Sequence, residues 1–205
     1  MELTTSGRFR VLDSPRERPE LLLIDLETFE PTYVRTDGDD DDLAGVDDTA
    51  VDDLRPGYVV DASLAWNDGT ARFASVDVDS RSRIEFVDGV TGVFEAARET
   101  WQTAEAEGEG MNSRVTYDTD GAANGVLYVF AKQSGARDLF EEFRSGTRPL
   151  EPLVQRVNEN RDDEGPREVF VMRPADEPFV LVYIVFRAEG ILAETVRDTY
   201  DCPRE

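Results

Sequence analysis

Lys132 is the only lysine in a chain of 205 residues whose 22 basic residues are otherwise all arginine. It follows the apolar run Val126–Ala131 and precedes Gln133-Ser134-Gly135-Ala136-Arg137, an order that predicts a strand end, a serine N-cap and the first turn of a helix. Amides at a helix start, flanked by cations, suit a phosphate or a carboxylate. Lys132, Ser134, Gly135 and Arg137 are therefore the expected contacts of a small anionic ligand. Arg114, near the start of the partner strand of an antiparallel hairpin, is expected to reach the same place. A second set of residues suits single-stranded nucleic acid. Arg8 and Arg10 share one strand face, Arg81 and Arg83 share another, and Tyr33, Tyr58, Trp66 and Phe73 offer stacking surfaces. Trp66 falls in phase with Val60 and Leu64, which assigns it to the core rather than to an interface.

Other chemistry finds little support. The chain has no histidine, so the commonest general base and metal ligand is missing. Its single cysteine, Cys202, lies three residues from the end with no imidazole to activate it, in a tail expected to fray. The lone lysine is not preceded by the glycines of a phosphate-binding loop. Asp77 and Asp79 share a strand face and form a carboxylate pair, yet among 45 acids one pair carries little information. Asp37, Asp39 and Asp41 have calcium-loop spacing, but Asp42 stands where glycine is needed and Asp48 where a bidentate glutamate is needed. No catalytic residue, cofactor or metal ligand is expected, and an enzyme ranks behind a binding protein.

These residues sit in a strongly acidic chain of net charge −23. Asp-rich, Lys-poor composition suits a protein that keeps itself hydrated in molar salt, where screening removes the repulsion. The start lacks a basic segment and an apolar core, and the longest apolar run, Phe179–Phe186, is far too short to cross a bilayer. A cytoplasmic protein with no membrane segment is expected. Its 40 % hydrophobic residues suffice for a folded core, and oligomer formation is left open.

The positioning elements follow from periodicity. Strands are expected at Arg8–Asp13, Leu21–Leu26 and Thr32–Thr36, then a solvated acidic loop at 37–53 holding nine acids and no base. A hairpin runs from Tyr58 through the turn Asn67-Asp68-Gly69-Thr70 to Val78, and Arg83–Val87 adds a strand. Residues 1–90 therefore read as a small antiparallel β-barrel or sandwich of the oligonucleotide-binding (OB) type, without a helix. Residues 91–205 read as an α+β domain: an amphipathic helix at Thr91–Glu105, then two hairpin-helix units about 55 residues apart, with a further helix from Pro149. Val126–Ala131 and Phe179–Phe186 are apolar on both faces and should be central strands under helices.

The run Met111–Asp118, continuing through Asn124–Ala131 and Gly135–Phe140, resembles an uncharacterised protein family of halophilic archaea over most of the chain. The resemblance implies a salt-rich habitat and a shared fold, and no catalytic residues. The sequence thus favours a non-enzymatic binding or accessory protein with an anion contact at Lys132, ahead of single-stranded nucleic-acid binding by the N-terminal module.

Overall fold

Alternating apolar residues build ten strands, and together with five helices they give an α+β protein with two mixed sheets, in a computed structural model that describes residues 3–37, 48–133, 135, 137–163 and 165–202. The chain divides into two units, Met1–Ser82 with Phe143–Pro152, and Arg83–Glu142 with Leu153–Glu205.

The first unit holds β1 (Leu3–Asp13), β2 (Glu20–Asp25), β3 (Pro31–Arg35), α1 (Asp48–Asp52), β4 (Val59–Asn67) and β5 (Thr70–Ser80). β1 pairs with β2 and β4, β2 with β3, β4 with β5, and β3 with β5, so the ladder closes on itself. The β3–β5 pair is parallel, where an all-antiparallel module was expected. Parallel neighbours require a long crossover, and residues 36–69 supply it. Within that crossover lies α1, whose five residues are too few to show a helical period in the sequence. Asp68 and Gly69 both take positive φ, which makes the tight hairpin turn expected there. Phe9, Val11, Leu23, Val34, Val60, Leu64 and Phe73 fill the interior.

Leu22 and Ile24 point the other way, out of the ladder, and are nevertheless buried. The segment 143–152 meets them: a Cβ on Gly146 would stand 2.5 Å from Ile24 Cδ1, and Gly146 has φ +71°, so only glycine fits. In the same segment Glu151 accepts two hydrogen bonds from Arg10, at 2.7 and 3.0 Å, and Arg10 also donates to the Gly57 carbonyl at 2.8 Å.

The second unit contains β6 (Arg83–Val90), α2 (Glu95–Glu107), β7 (Met111–Tyr117), β8 (Ala123–Ala131), β9 (Glu168–Pro174), β10 (Phe179–Val185) and α5 (Ile191–Tyr200), and takes in parts of α3 (Leu139–Arg144) and α4 (Glu151–Glu159). The strand order is β6-β9-β10-β8-β7. β6, placed by the sequence in the N-terminal module, instead lies parallel to β9, with Ile84 opposite Val169 and Phe86 opposite Val171. β8 and β10 are internal, as their two-sided apolar pattern predicts. Ala97 of α2 and Val196 of α5 pack with Leu127, Phe170 and Leu181 on one face. On the other face Phe140 of α3 meets Phe86 edge-on, with centroids 5.8 Å apart. The helices that follow the two hairpins therefore cover opposite faces of one sheet.

Candidate functional site

The junction at Lys132 is tied to its own chain. The Lys132 backbone N–H donates to the Pro178 carbonyl at 2.8 Å, and its Nζ donates to the Pro174 carbonyl. The lysine thus clasps the β9–β10 turn. Ser134, the expected cap, lies outside the described residues along with Ala136; Gly135 has φ +115°, a backbone no helix accepts. The helix begins at Leu139, and Asp138 caps it, its Oδ1 accepting from the Phe140 amide at 3.0 Å. Arg137 is exposed beside this cap.

The expected convergence of Arg114 also fails. Strand starts and ends do meet as the hairpin requires, with Met111 opposite Phe130, but Arg114 stands opposite Leu127. Its guanidinium pairs with Glu99 of α2 at 2.5 Å, beside a groove of about 710 Å³ whose walls include Thr103, Glu107, Asn112 and Ser113. The cation that does gather charge near the junction is Arg173. It bonds Asp88 and Asp138 and lies 4.7 Å from the Phe140 ring centre. Those carboxylates hold its pKa above the usual arginine range, led by the Asp88 hydrogen bond. Charge at this end of the sheet is consumed internally.

The four arginines expected to form a nucleic-acid face each have their own local surroundings. Arg8 is exposed and paired with Asp79. Arg10 is only 5 % exposed and locked to Glu151. Arg81 lies 5.6 Å from the Tyr58 ring centre, while Arg83 belongs to β6, opposite Glu168. Trp66 packs against the core of the first unit, in keeping with its phase.

A different cluster forms on the outward side of β3. Alternation turns Val34 inward and leaves Tyr33 and Arg35 outward. The parallel register sets Arg72 of β5 beside Arg35, and the antiparallel one sets Glu20 of β2 on its other side. Arg16, from the β1–β2 loop, lays its guanidinium 3.4 Å from the centre of the Tyr33 ring. Arg35 grips Asp37 at 2.7 and 2.5 Å, and Arg72 donates to the Asp37 carbonyl at 2.5 Å. The Arg35 hydrogen bonds draw the Asp37 carboxyl below its ordinary value. Asp37 also opens the acidic stretch, whose residues 38–47, including Asp39 and Asp41 of the calcium-loop spacing, lie outside the described residues. Three cations, Arg16, Arg35 and Arg72, thus stand around the Tyr33 ring with two carboxylates, Glu20 and Asp37. Among the described residues of this cluster the three arginines outnumber the two carboxylates, in a chain with twice as many acids as bases. The alternation of Tyr33, Val34 and Arg35 was legible; the arrival of Arg72 required knowing that β3 pairs with β5.

A family model described as a family of unknown function (DUF6663) matches residues 1–205. The chain belongs to that family. No curated protein and no solved structure matches it. Membership fixes no residue's role, so the chemistry rests on the geometry alone. Among the described residues no group of three or more histidine, cysteine or acidic side chains is arranged to hold a metal, and no helix is long and apolar enough to cross a membrane.

Cys202 corrects another expectation. It is not frayed: it is 7 % exposed in the core beside α5, and its N–H donates to the Arg197 carbonyl at 3.0 Å. Burial, and then repulsion from Glu85 and Glu168, pushes its thiol pKa up to about 11. Thiolate is the reactive form, so the folded protein at pH ~8 should leave Ellman's reagent unreduced over the period in which the urea-unfolded chain reacts fully. Prompt reaction of the native chain would show the thiol to be open. Glu168, fully buried, is likewise raised by desolvation, and two hydrogen bonds from Arg197 pull it back. That embrace occupies both of its oxygens.

Proposed function

We propose that this protein binds single-stranded nucleic acid through the outward face of its five-stranded N-terminal unit. The observation that carries the proposal is the cluster of Arg16 on Tyr33 beside Arg35 and Arg72. Its location supports the assignment. In support, we read the ladder order β1-β2-β3-β5-β4, closing back on β1 with α1 between β3 and β4, as an OB arrangement, a fold that uses the β2–β3 face and the β1–β2 loop for oligonucleotides. The Tyr33 ring supports the Arg16 guanidinium, whose outer plane is a stacking surface for a base. Arg35 and Arg72 then lie where the backbone phosphates would run, in competition with Asp37.

The acidic composition supports work in molar salt, where phosphate contacts weaken and stacking must carry more of the affinity. The test is fluorescence anisotropy of labelled single-stranded DNA and RNA, titrated with the full chain in molar KCl. Saturable binding is expected, tighter than to a duplex of the same sequence. Failure of both DNA and RNA to bind would overturn the proposal.

A further inference from the structure

β7 is an edge strand: its partner is β8, and among the described residues no strand pairs with its other side. A free edge presents a row of backbone donors and acceptors that invites another strand. Two features make this edge receptive. Met111, Val115 and Tyr117 share one face and are 41, 41 and 63 % exposed. The strand Met-Asn-Ser-Arg-Val-Thr-Tyr carries one arginine and no acid, in a chain with 45 acids. Two copies each bearing −23 repel one another, and this strand adds no carboxylate of its own to that repulsion.

We propose that a second copy of the chain pairs with this edge, antiparallel, about a two-fold axis through Arg114. Such an isologous contact requires the strand to match itself. With Arg114 at the pivot, Met111 faces the second copy's Tyr117, Asn112 its Thr116 and Ser113 its Val115. Met111, Ser113, Val115 and Tyr117 of both copies then share one face of the joined sheet, and Asn112, Arg114 and Thr116 the other, as the two-residue period demands. The two arginines meet at the axis, each with its own Glu99, 2.5 Å away on α2. The four charges therefore alternate, and each guanidinium can bridge to the second copy's carboxylate. A foreign extended peptide would satisfy the backbone equally well, but it would not supply this match of side chains and charge.

Sedimentation velocity of the full chain in molar KCl tests the proposal, with far-UV circular dichroism to verify folding. The wild type should sediment as a dimer. Val115→Asp should weaken dimerisation by about tenfold or more, since it places like charges and a buried carboxylate in the new seam. Tyr117→Lys, at a more exposed position, carries the same test should Val115→Asp fail to fold. Arg114→Cys should give a covalent dimer on mild oxidation, because the two substituted residues face one another and Cys202 is buried. A wild type that stays monomeric at every concentration overturns the proposal, as does a dimer that survives both substitutions.

Discussion

Glu151→Leu is expected to lower the stability of the first unit by about 3–5 kcal/mol, the cost of leaving a buried charge without its partner. Arg10 and Glu151 are 5 and 3 % exposed, and the pair is bidentate. Without Glu151 the guanidinium keeps its bond to the Gly57 carbonyl, and its burial keeps bulk solvent from replacing the lost carboxylate. The double variant Arg10→Met with Glu151→Leu should recover most of the loss, because a pair replaced by apolar groups no longer strands a charge. Urea unfolding followed through Trp66, in a Trp101→Phe background, measures both. Equal losses in the single and double variants would show that packing of the 143–152 segment, rather than the charge pair, is what matters. The same burial explains why Arg10 is unsuited to contact a ligand.

Arg167→Met should be comparably severe in the second unit, about 3–5 kcal/mol by the same urea titration read through Trp101. Arg167 is 2 % exposed and donates to Asn158 Oδ1 at 3.1 Å, to the Phe186 carbonyl at 2.8 Å, and to both the carbonyl and the carboxylate of Asp163. A methionine fills the volume and abandons those acceptors. Arg167→Lys should recover less than half of the loss, since an ammonium cannot reach acceptors spread around a planar fork. The pH dependence carries a sign. Arg161 and then Arg167 hold the Asp163 carboxyl well below the usual carboxylate range. Its contribution is therefore present above the ordinary aspartate value and disappears as pH falls through the lowered one, below about pH 4. Arg167→Met should flatten that part of the acid unfolding curve; an unchanged curve would mean that Arg161 alone sets the shift.

Elements with a strong period were legible in the sequence. The β4–β5 hairpin and its Asp68-Gly69 turn, the two-sided strands β8 and β10, and the end of α2 at Gly108 follow from local rules. Long-range pairing was not. Arg83–Val90 has the alternation of any half-buried strand, and nothing in it says that its neighbour is β9 rather than β5. Leu22 and Ile24 gave a second apolar face to β2, but the cover for that face lies more than a hundred residues away in 143–152. At the Lys132 junction, Ser134 and Asp138 are both sound caps. Asp138 caps α3, and Arg173 adds an ion pair to that cap. Cys202 looked like tail because local pattern cannot show that α5 brings it onto a core face.

The assignment of function turns on Tyr33, and one pair of titrations tests it most directly. Labelled polythymidylate is titrated with Tyr33→Ala and with Lys132→Ala, each against the wild type in molar KCl. Tyr33→Ala, which removes the ring that holds the Arg16 guanidinium in place for stacking, should weaken binding by about 1–3 kcal/mol, the worth of one stacked base, while Lys132→Ala should leave it unchanged. Loss of binding in Lys132→Ala with none in Tyr33→Ala would move the site back to the β8–α3 junction and contradict the β3 face.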